Sequence, residues 1–286
     1  MNEIPHLGSG LGFREELGAE TLAAHEQIDF VEVIAEEYMR PRGLDRLRKI
    51  TDRFAVIPHG IGLSIGSMGP VDTDYLTSVK RVSDLSGSSY FSDHLCLTRV
   101  PGIDLRHLAP LWFGEELLTH TIEKVHAVQD VLGKPLVLEN VTYMVDLPNA
   151  ELSQTEFFRE LTAATGCGIL LDVTNLYINA VNHLFDAERF LAEMPLDRVV
   201  QVHLAGGYWN HGVLIDGHSH PVPEEVWQLY AHLCERADIK GVILEHDQNF
   251  PDLGLLLEQV WRARTILDKT RAASAHSPSR SGAGIP

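Results

Sequence analysis

The sequence predicts a (β/α)8 TIM barrel in a single domain, on three observations. Short apolar, β-branched runs recur eight times, stretches of helical periodicity lie between them, and seven of the eight runs end in a histidine, aspartate or glutamate. The expected strands are, in order, "HLGSGLGF", "FVEVIAEE", "AVIPHG", "YFSDHL", "PLVLEN", "GILLDV", "VVQVHLAG" and "GVILEHD". The first is the weakest signal because it is rich in glycine. Its "GSGLGF" superficially resembles a dinucleotide loop, but the spacing departs from GxGxxG and no clear acidic partner follows roughly 20 residues on. A doubly wound open sheet is therefore the lesser alternative. Among the intervening stretches, "EELLTHTIEKVHAVQDVLG" places Leu117, Leu118, Ile122, Val125 and Val128 on one helical face. "QTEFFRELTAATG" opens at Ser153 or Thr155 with Glu156 close behind, and closes at Gly166. "LGLLLEQVWRARTILDKT" reads as a last amphipathic helix. With no linker and no repeat beyond this rhythm, residues 1–270 are expected to form the barrel and 271–286 a flexible polar tail.

Composition excludes several classes. Of 286 residues, 44% are hydrophobic, enough for one large core. The formal charge of -17 repels a phosphate backbone, so nucleic acid is not expected as a partner. Three cysteines, Cys96, Cys167 and Cys234, give an odd count with no CxxC pair, which argues against a disulfide framework or a thiolate zinc site and fits a reducing, cytoplasmic setting. No apolar run approaches the roughly 20 residues that span a bilayer, and "MNEIPHLGSG" does not read as a signal peptide.

In a barrel the C-terminal strand ends converge on one face. Here they carry Glu36, His59, His94, Glu139, Asp172, His203 and Glu245, with Asp216 and His218 in the stretch after the seventh strand. One histidine or glutamate after a strand is an ordinary turn or ion-pair residue. Together, carboxylates brought this close repel unless protonated or bound to cations, and basic residues near these ends look too sparse to neutralise them. Metal ions resolve the conflict. Imidazole and carboxylate without thiolate suit iron, manganese or zinc, and nine or more candidate ligands imply two or three ions. Asn175 and His183 could ligate or play structural parts. His211 and His220 are ambiguous, and Cys96 reads as a buried inert thiol. Trp112, Trp209, Trp227 and Trp261 are packing candidates, although Trp209 could line a groove.

At this point the residues resemble a known family, the multinuclear non-haem iron-dependent oxidative enzymes. The matching stretches are "EVIAEEYM", "HGIGLSIG", "SDHL", "LENVTYM", "GILLDVTNLYINAVNH", "VVQVHLAGG", "IDGHSHPV", "VWQLY" and "VILEHD"; they occur in order over nearly the whole chain. The resemblance implies a TIM barrel holding two or three irons, in mixed ferrous and ferric states, with dioxygen as co-substrate. It implies oxidative modification of a cysteine on a ribosomally made precursor or carrier peptide, by β-carbon excision or an oxazolone–thioamide rearrangement. A small partner protein that recognises the peptide is implied too. The family's ligand pattern falls on His59, His94, Glu139, Asp172, Asn175, His203, Asp216, His218 and Glu245, with Glu139, Asp172 and His203 as the residues expected in catalysis and Glu139 between two metals. On this pattern His211 and His220 are not ligands. Glu36 and Asp247 match other recurrent polar positions. The sequence departs from the family at Glu37, Gly207, Ser219 and His246, none of which is in the ligand pattern. The main rival is a manganese or zinc isomerase or hydrolase on a similar barrel, acting on a small substrate; a metal-binding scaffold without catalysis is a third class.

Overall fold

The computed structural model describes residues 4–100 and 102–276. Eight parallel strands form a closed barrel: β1 (Gly8–Gly12), β2 (Phe30–Ile34), β3 (Ala55–Gly60), β4 (Phe91–His94), β5 (Leu136–Glu139), β6 (Gly168–Asp172), β7 (Val199–Leu204) and β8 (Gly241–Leu244). Each strand neighbours its successor, and β8 closes on β1, with Gly8 opposite Gly241 and Leu11 opposite Leu244. All eight expected runs are strands of this barrel.

The helices between strands are α1 (Gly18–Ala23), α2 (Pro41–Thr51), α3 (Thr73–Ser86), α4 (Glu115–Leu132), α5 (Gln154–Thr165), α6 (Val173–His183), α7 (Ala187–Glu193) and α8 (Glu224–Cys234), followed by α9 (Leu253–His276). In α4, Leu117, Val125 and Val128 are buried and Leu118 and Ile122 pack half-buried against the core, as their spacing predicts. Helix α5 starts at Ser153 with a capping box: Ser153 Oγ accepts from the Glu156 amide, and the Ser153 amide donates to Glu156 Oε2 at 2.8 Å. It ends at Gly166, whose φ of 68° suits glycine. Helix α9 runs six residues into the segment expected to be a tail, because Ala272 and Ala273 favour helix and no proline intervenes before Pro278. The remainder of that segment lies outside the described residues.

Two hairpins, absent from the sequence reading, stand on the barrel's C-terminal face. One pairs Leu97–Val100 with Ile103–Ala109, and the other pairs Tyr208–Asn210 with Val213–Ile215. The second occupies "GGYWNHGVL", in the stretch after the seventh strand. His211 (φ 48°) and Gly212 (φ 84°) form its two-residue turn, the left-handed pair that a tight hairpin requires.

The barrel interior is layered by the two-residue period of its strands. Phe30, Ile57, Tyr90, Val137, Leu170 and Ile243 form an apolar plug with Ile4 and Val200. Two residues further along their strands stand Glu32, His59, Ser92, Glu139, Asp172 and Glu245, all buried. The larger apolar core lies outside the barrel wall, beneath the helices. Among the described residues no helix is long and apolar enough to cross a membrane.

After β7 the chain turns at Gly206, whose carbonyl accepts the Ser219 amide at 3.1 Å. A side chain at Gly206 would collide with the carbonyl oxygens of His220 and Pro221. Gly206→Ala should therefore lower Tm by about 3–6 °C, the scale of an overpacked contact in a chain this large. An unchanged thermal melt would refute this close approach.

Candidate metal centre

The polar layer above the plug gathers the expected residues at one mouth of the barrel. β3 ends in His59 and Gly60, β4 in His94, β5 in Glu139, β6 in Asp172, while His203 and Glu245 come from β7 and the residue after β8. His59 Nε2 lies 3.4 Å from His94 Nε2 and 3.2 Å from Glu139 Oε2; His94 Nε2 lies 3.4 Å from the same oxygen. Donor atoms bound to one ion at about 2.1 Å sit about 3.0–3.4 Å apart, so this trio has the spacing of a metal site. A second group, Glu139, Asp172, His203 and Glu245, also brings its donor atoms within 4.8 Å of one another. In it His203 Nδ1 lies 3.1 Å from Glu245 Oε2 and 3.6 Å from Glu139 Oε1. Glu139 belongs to both groups, one oxygen toward each.

Asp216 and His218 approach from the segment after the second hairpin. His218 Nε2 lies 2.9 Å from Asp216 Oδ1, and its Nδ1 lies 3.0 Å from Asp247 Oδ2 and 3.8 Å from Glu245 Oε2. Asn175 stands on the first turn of α6. Its amide donates to Asp172 Oδ1 at 2.7 Å and its Nδ2 to the Asn140 carbonyl at 3.0 Å, which fixes the side chain and leaves Oδ1 over.

Buried polar atoms are nearly always hydrogen-bonded. Six buried atoms here have no hydrogen-bond partner among the described residues: Glu139 Oε2, Asp172 Oδ2, Asn175 Oδ1, His203 Nδ1, Asp216 Oδ1 and His218 Nε2. Every one is a lone-pair donor of the expected set. Asp216 Oδ1 and His218 Nε2 are close yet misaligned for a hydrogen bond. Imidazole and carboxylate donors left over in this way fit divalent cations.

The electrostatics carry the same strain. Burial pushes the Asp172 carboxyl well above its ordinary pKa, and Glu139 and Asp216 push it further. Burial opposes the charged form of Glu245, but His203, His218 and Arg14 outweigh it and hold that carboxyl well below the usual range. Burial likewise disfavours the His203 imidazolium, while Glu245, Glu32 and Glu139 reverse the balance and raise it. His59 is depressed, by burial first and then by His94 and His203.

Glu32, Gln201, Tyr90 and Arg14 contribute to the centre and are absent from the sequence expectations. Glu32 lies in the middle of β2, within the polar layer, with Oε1 2.9 Å from His203 Nε2 and Oε2 accepting Gln201 Nε2 at 2.5 Å. Tyr90 donates to Gln201 from the plug. The alternation Phe30, Glu32, Ile34 was the available signal: an acid on the inward face of an apolar run. Arg14, just past β1, pairs with Asp247 at 2.6 Å and Glu245 at 3.6 Å. Basic residues near the strand ends were expected to be too sparse to neutralise them, and Arg14 supplies one guanidinium there, to Asp247 and Glu245.

Other candidates lie elsewhere. Glu36 Oε1 accepts the amides of Ile61 and Gly62 at 2.7 and 3.0 Å and the Tyr75 hydroxyl, beside the centre rather than in it. His183 stacks on Tyr143 and bonds its carbonyl, a structural role. His211 and His220 are exposed, His220 bonding Ser219. Cys96 is fully buried. Of the four tryptophans only Trp227 is buried; Trp112, Trp209 and Trp261 are exposed, which corrects the packing expectation for Trp112 and Trp261. Of the departures, Ser219 and His246 are buried beside the centre's loops, and Glu37 is exposed.

The model of the RiPP precursor modification enzymes MbnB/TglH/ChrH matches residues 8–268. The chain belongs to that family. The family is the one whose resemblance the sequence carries, and it acts on precursors of ribosomally made, modified peptides. As a member of this RiPP-modifying family, the chain is an enzyme. Its relatives include UPF0276 proteins of Rhizorhabdus wittichii, 39% identical over 90% of this chain and 94% of the relative, and of Caulobacter vibrioides, 38% identical over 92% and 95%. Among solved structures, endonuclease IV from Thermus thermophilus superposes with a TM-score of 0.57 at 16% identity, over 91% of this chain and 99% of that one. D-psicose 3-epimerase from Clostridium cellulolyticum does so with 0.56 at 11%, over 93% and 96%. At such identities the two structures share the barrel with this MbnB/TglH/ChrH relative and nothing finer.

Glu139→Ala should remove at least one equivalent of bound metal, because it deletes the one carboxylate common to both groups. Glu32→Gln should keep the stoichiometry but weaken affinity about 10–100-fold, the usual effect of losing a partner behind a ligating histidine. Elemental analysis and chelator competition read the two effects. Unchanged metal content in Glu139→Ala, or unchanged affinity in Glu32→Gln, would refute the respective role.

Proposed function

We propose that this chain is a multinuclear iron enzyme that uses dioxygen to modify a cysteine of a ribosomally made precursor or carrier peptide. The observation that carries the reading is the set of six buried donor atoms without partners, all on residues of the family's ligand pattern. On this reading His59, His94 and Glu139 hold one ion and Glu139, Asp172, His203 and Glu245 a second. Asp216 and His218, with Asn175, supply the donors of a third. Iron bound there would supply a Lewis acid for a substrate thiolate and one-electron chemistry toward dioxygen.

The chain's own residues do the rest. Glu139 couples the two halves of the centre through its two oxygens. Glu32 and Gln201 engage His203 Nε2, which leaves Nδ1 to face the centre. Asp247 fixes His218 Nδ1 and is itself held by Arg14. The plug beneath the polar layer closes the barrel's other end, so substrate arrives through the C-terminal loops. Tyr208 and Trp209 stand exposed on one of the hairpins there and offer rigid apolar surface to a peptide. A separate small protein that grips the leader fits an enzyme charged at -17, which holds only the reacting end.

Purified protein should contain iron, show charge-transfer absorption, and change the mass of a cysteine-bearing peptide encoded beside it only in the presence of dioxygen. A colourless zinc or manganese protein, or full turnover without oxygen, would overturn the proposal. Trp209→Ala should slow peptide processing several-fold with iron content intact. Normal turnover, or activity lost only together with iron, would remove the peptide-facing role.

A further inference from the structure

A cavity of about 400 Å³ opens beside the centre, on the β3–β4 side of the barrel mouth. Ile61 and Gly62, which directly follow the end of β3, form one wall; Glu36 and Tyr75 line it too, and the first hairpin supplies Arg99, Arg106 and His107. Its volume is that of a small-ligand site. No proposed metal ligand lines it, yet it adjoins the strands that end in His59 and His94.

The walls are built and held. Ser64 Oγ accepts the amides of Thr98 and Arg99 at 2.9 and 3.0 Å and so ties the β3 loop to the root of the hairpin. The buried Lys124 ammonium donates to Ser67 Oγ at 2.6 Å and to the Ser64 carbonyl at 3.3 Å, which pins that loop from beneath. The hairpin then departs from regular pairing. Leu97 faces Ala109 and Arg99 faces Asp104, so the residues from Leu105 to Leu108 bulge out opposite Thr98. At the centre of the bulge Arg106 adopts φ 51°, and Ser64 across the junction adopts φ 48°. Left-handed backbone is unfavourable at a non-glycine residue, and such strain and such bulges concentrate at binding sites. The Asp104 carboxylate accepts the Arg106 amide at 2.9 Å and stabilises the turn.

The charges are unequally committed. Arg99 pairs with Asp72 at 3.2 Å and covers the Tyr75 ring. Glu36 spends Oε1 on three donors. Among the described residues the Arg106 guanidinium and the His107 ring have no ion-pair partner. An exposed arginine at a cavity wall with no ion-pair partner among the described residues is free to take an anionic ligand group. Asp104 and Glu36 nearby make the site inhospitable to a dianion, and one guanidinium suits one carboxylate.

We infer that this cavity is a specificity subsite in which Arg106 receives a carboxylate of the peptide segment next to the reacting cysteine. The carboxylate belongs to an aspartate or glutamate side chain or to the peptide's C-terminus. The inference rests on the peptide-modifying reading above, but concerns binding rather than redox chemistry, so the two fail separately.

The test uses dye-labelled hexapeptides with one cysteine, titrated anaerobically into the metal-loaded protein so that anisotropy reads binding without turnover. One peptide carries aspartate beside the cysteine and a second asparagine there, both with amidated ends. A third keeps the asparagine and ends in a free carboxylate at the cysteine. The protein should bind the aspartate peptide or the free-acid peptide at least tenfold tighter than the neutral one. Arg106→Ala should erase that preference and leave the neutral peptide's affinity unchanged, and Arg106→Lys should restore most of it. Because the Arg106 side chain is exposed and unpaired, both variants should keep the parent's Tm and metal content. Preference for the aspartate peptide names a side chain as the source, and preference for the free acid names the chain end. Equal affinity for all three peptides, no binding of any, or a preference that survives Arg106→Ala would overturn the subsite.

Discussion

The mouth of this barrel confines four buried carboxylates, Glu32, Glu139, Asp172 and Glu245, in one layer. Charges taken out of water each cost several kcal/mol unless compensated in place. Arg14, His203 and His218 compensate part of the charge, chiefly at Glu245 and Asp247. Asp172, pushed far upward by burial and by Glu139, shows where compensation by the chain alone runs out. The uncompensated side coincides with the donor atoms that lack hydrogen bonds. The same residues form the groups that could hold metal ions, and the fold around them holds these acids together.

The strand period explains how one backbone does both jobs. Most plug positions are followed, two residues later, by a polar one: Ile57 by His59, Val137 by Glu139, Leu170 by Asp172, Ile243 by Glu245. The apolar layer supplies the burial that closes the barrel, and the layer above it inherits its rigidity. Positions on rigid strands suit a centre whose donor spacing must hold to a few tenths of an ångström. The same logic accounts for Glu32. It sits in the polar layer without being at a strand end, so it backs His203 instead of facing the mouth.

This layering also sets what the sequence could disclose. Apolar runs that end in an acid or a histidine display both the barrel and the centre, because strand wall, plug and donors are written within a few consecutive residues. The stretches over β3, β5 and β6 are legible for that reason. Glu32 was hidden because an acid within "FVEVI" looks like an outward residue until the inward register is known. Arg14 was hidden because its partners, Glu245 and Asp247, lie more than 230 residues away and meet it only when β8 closes on β1. The hairpins were hidden because one turns on a histidine with positive φ and the other contains a four-residue bulge, neither of which a strand pattern marks. Helix α9 overran the expected tail because alanines that read as low complexity are also strong helix formers.

Fold and chemistry separate cleanly in this chain. An epimerase and an endonuclease share its barrel at 11% and 16% identity, so the architecture by itself selects no reaction. The family match over residues 8–268 narrows the class to peptide modification. What remains is divided by depth. The polar layer is set on strands and backed by Glu32, Gln201 and Tyr90, and on the proposed function it would govern which cations bind and how firmly. The hairpins and the β3 loop above it are joined to the barrel through Ser64, Lys124 and Asn182, whose side chain bonds Leu214 in both directions. On the same proposal they would govern what reaches that layer. Substitutions in the lower layer should therefore disturb metal and activity together, whereas those in the upper layer can change the choice of peptide with the centre intact. Gly207 and Ser219 lie, with Asp216 and His218, on the segment between β7 and α8 that carries the second hairpin, so these departures from the family pattern flank two residues of the ligand pattern without replacing either.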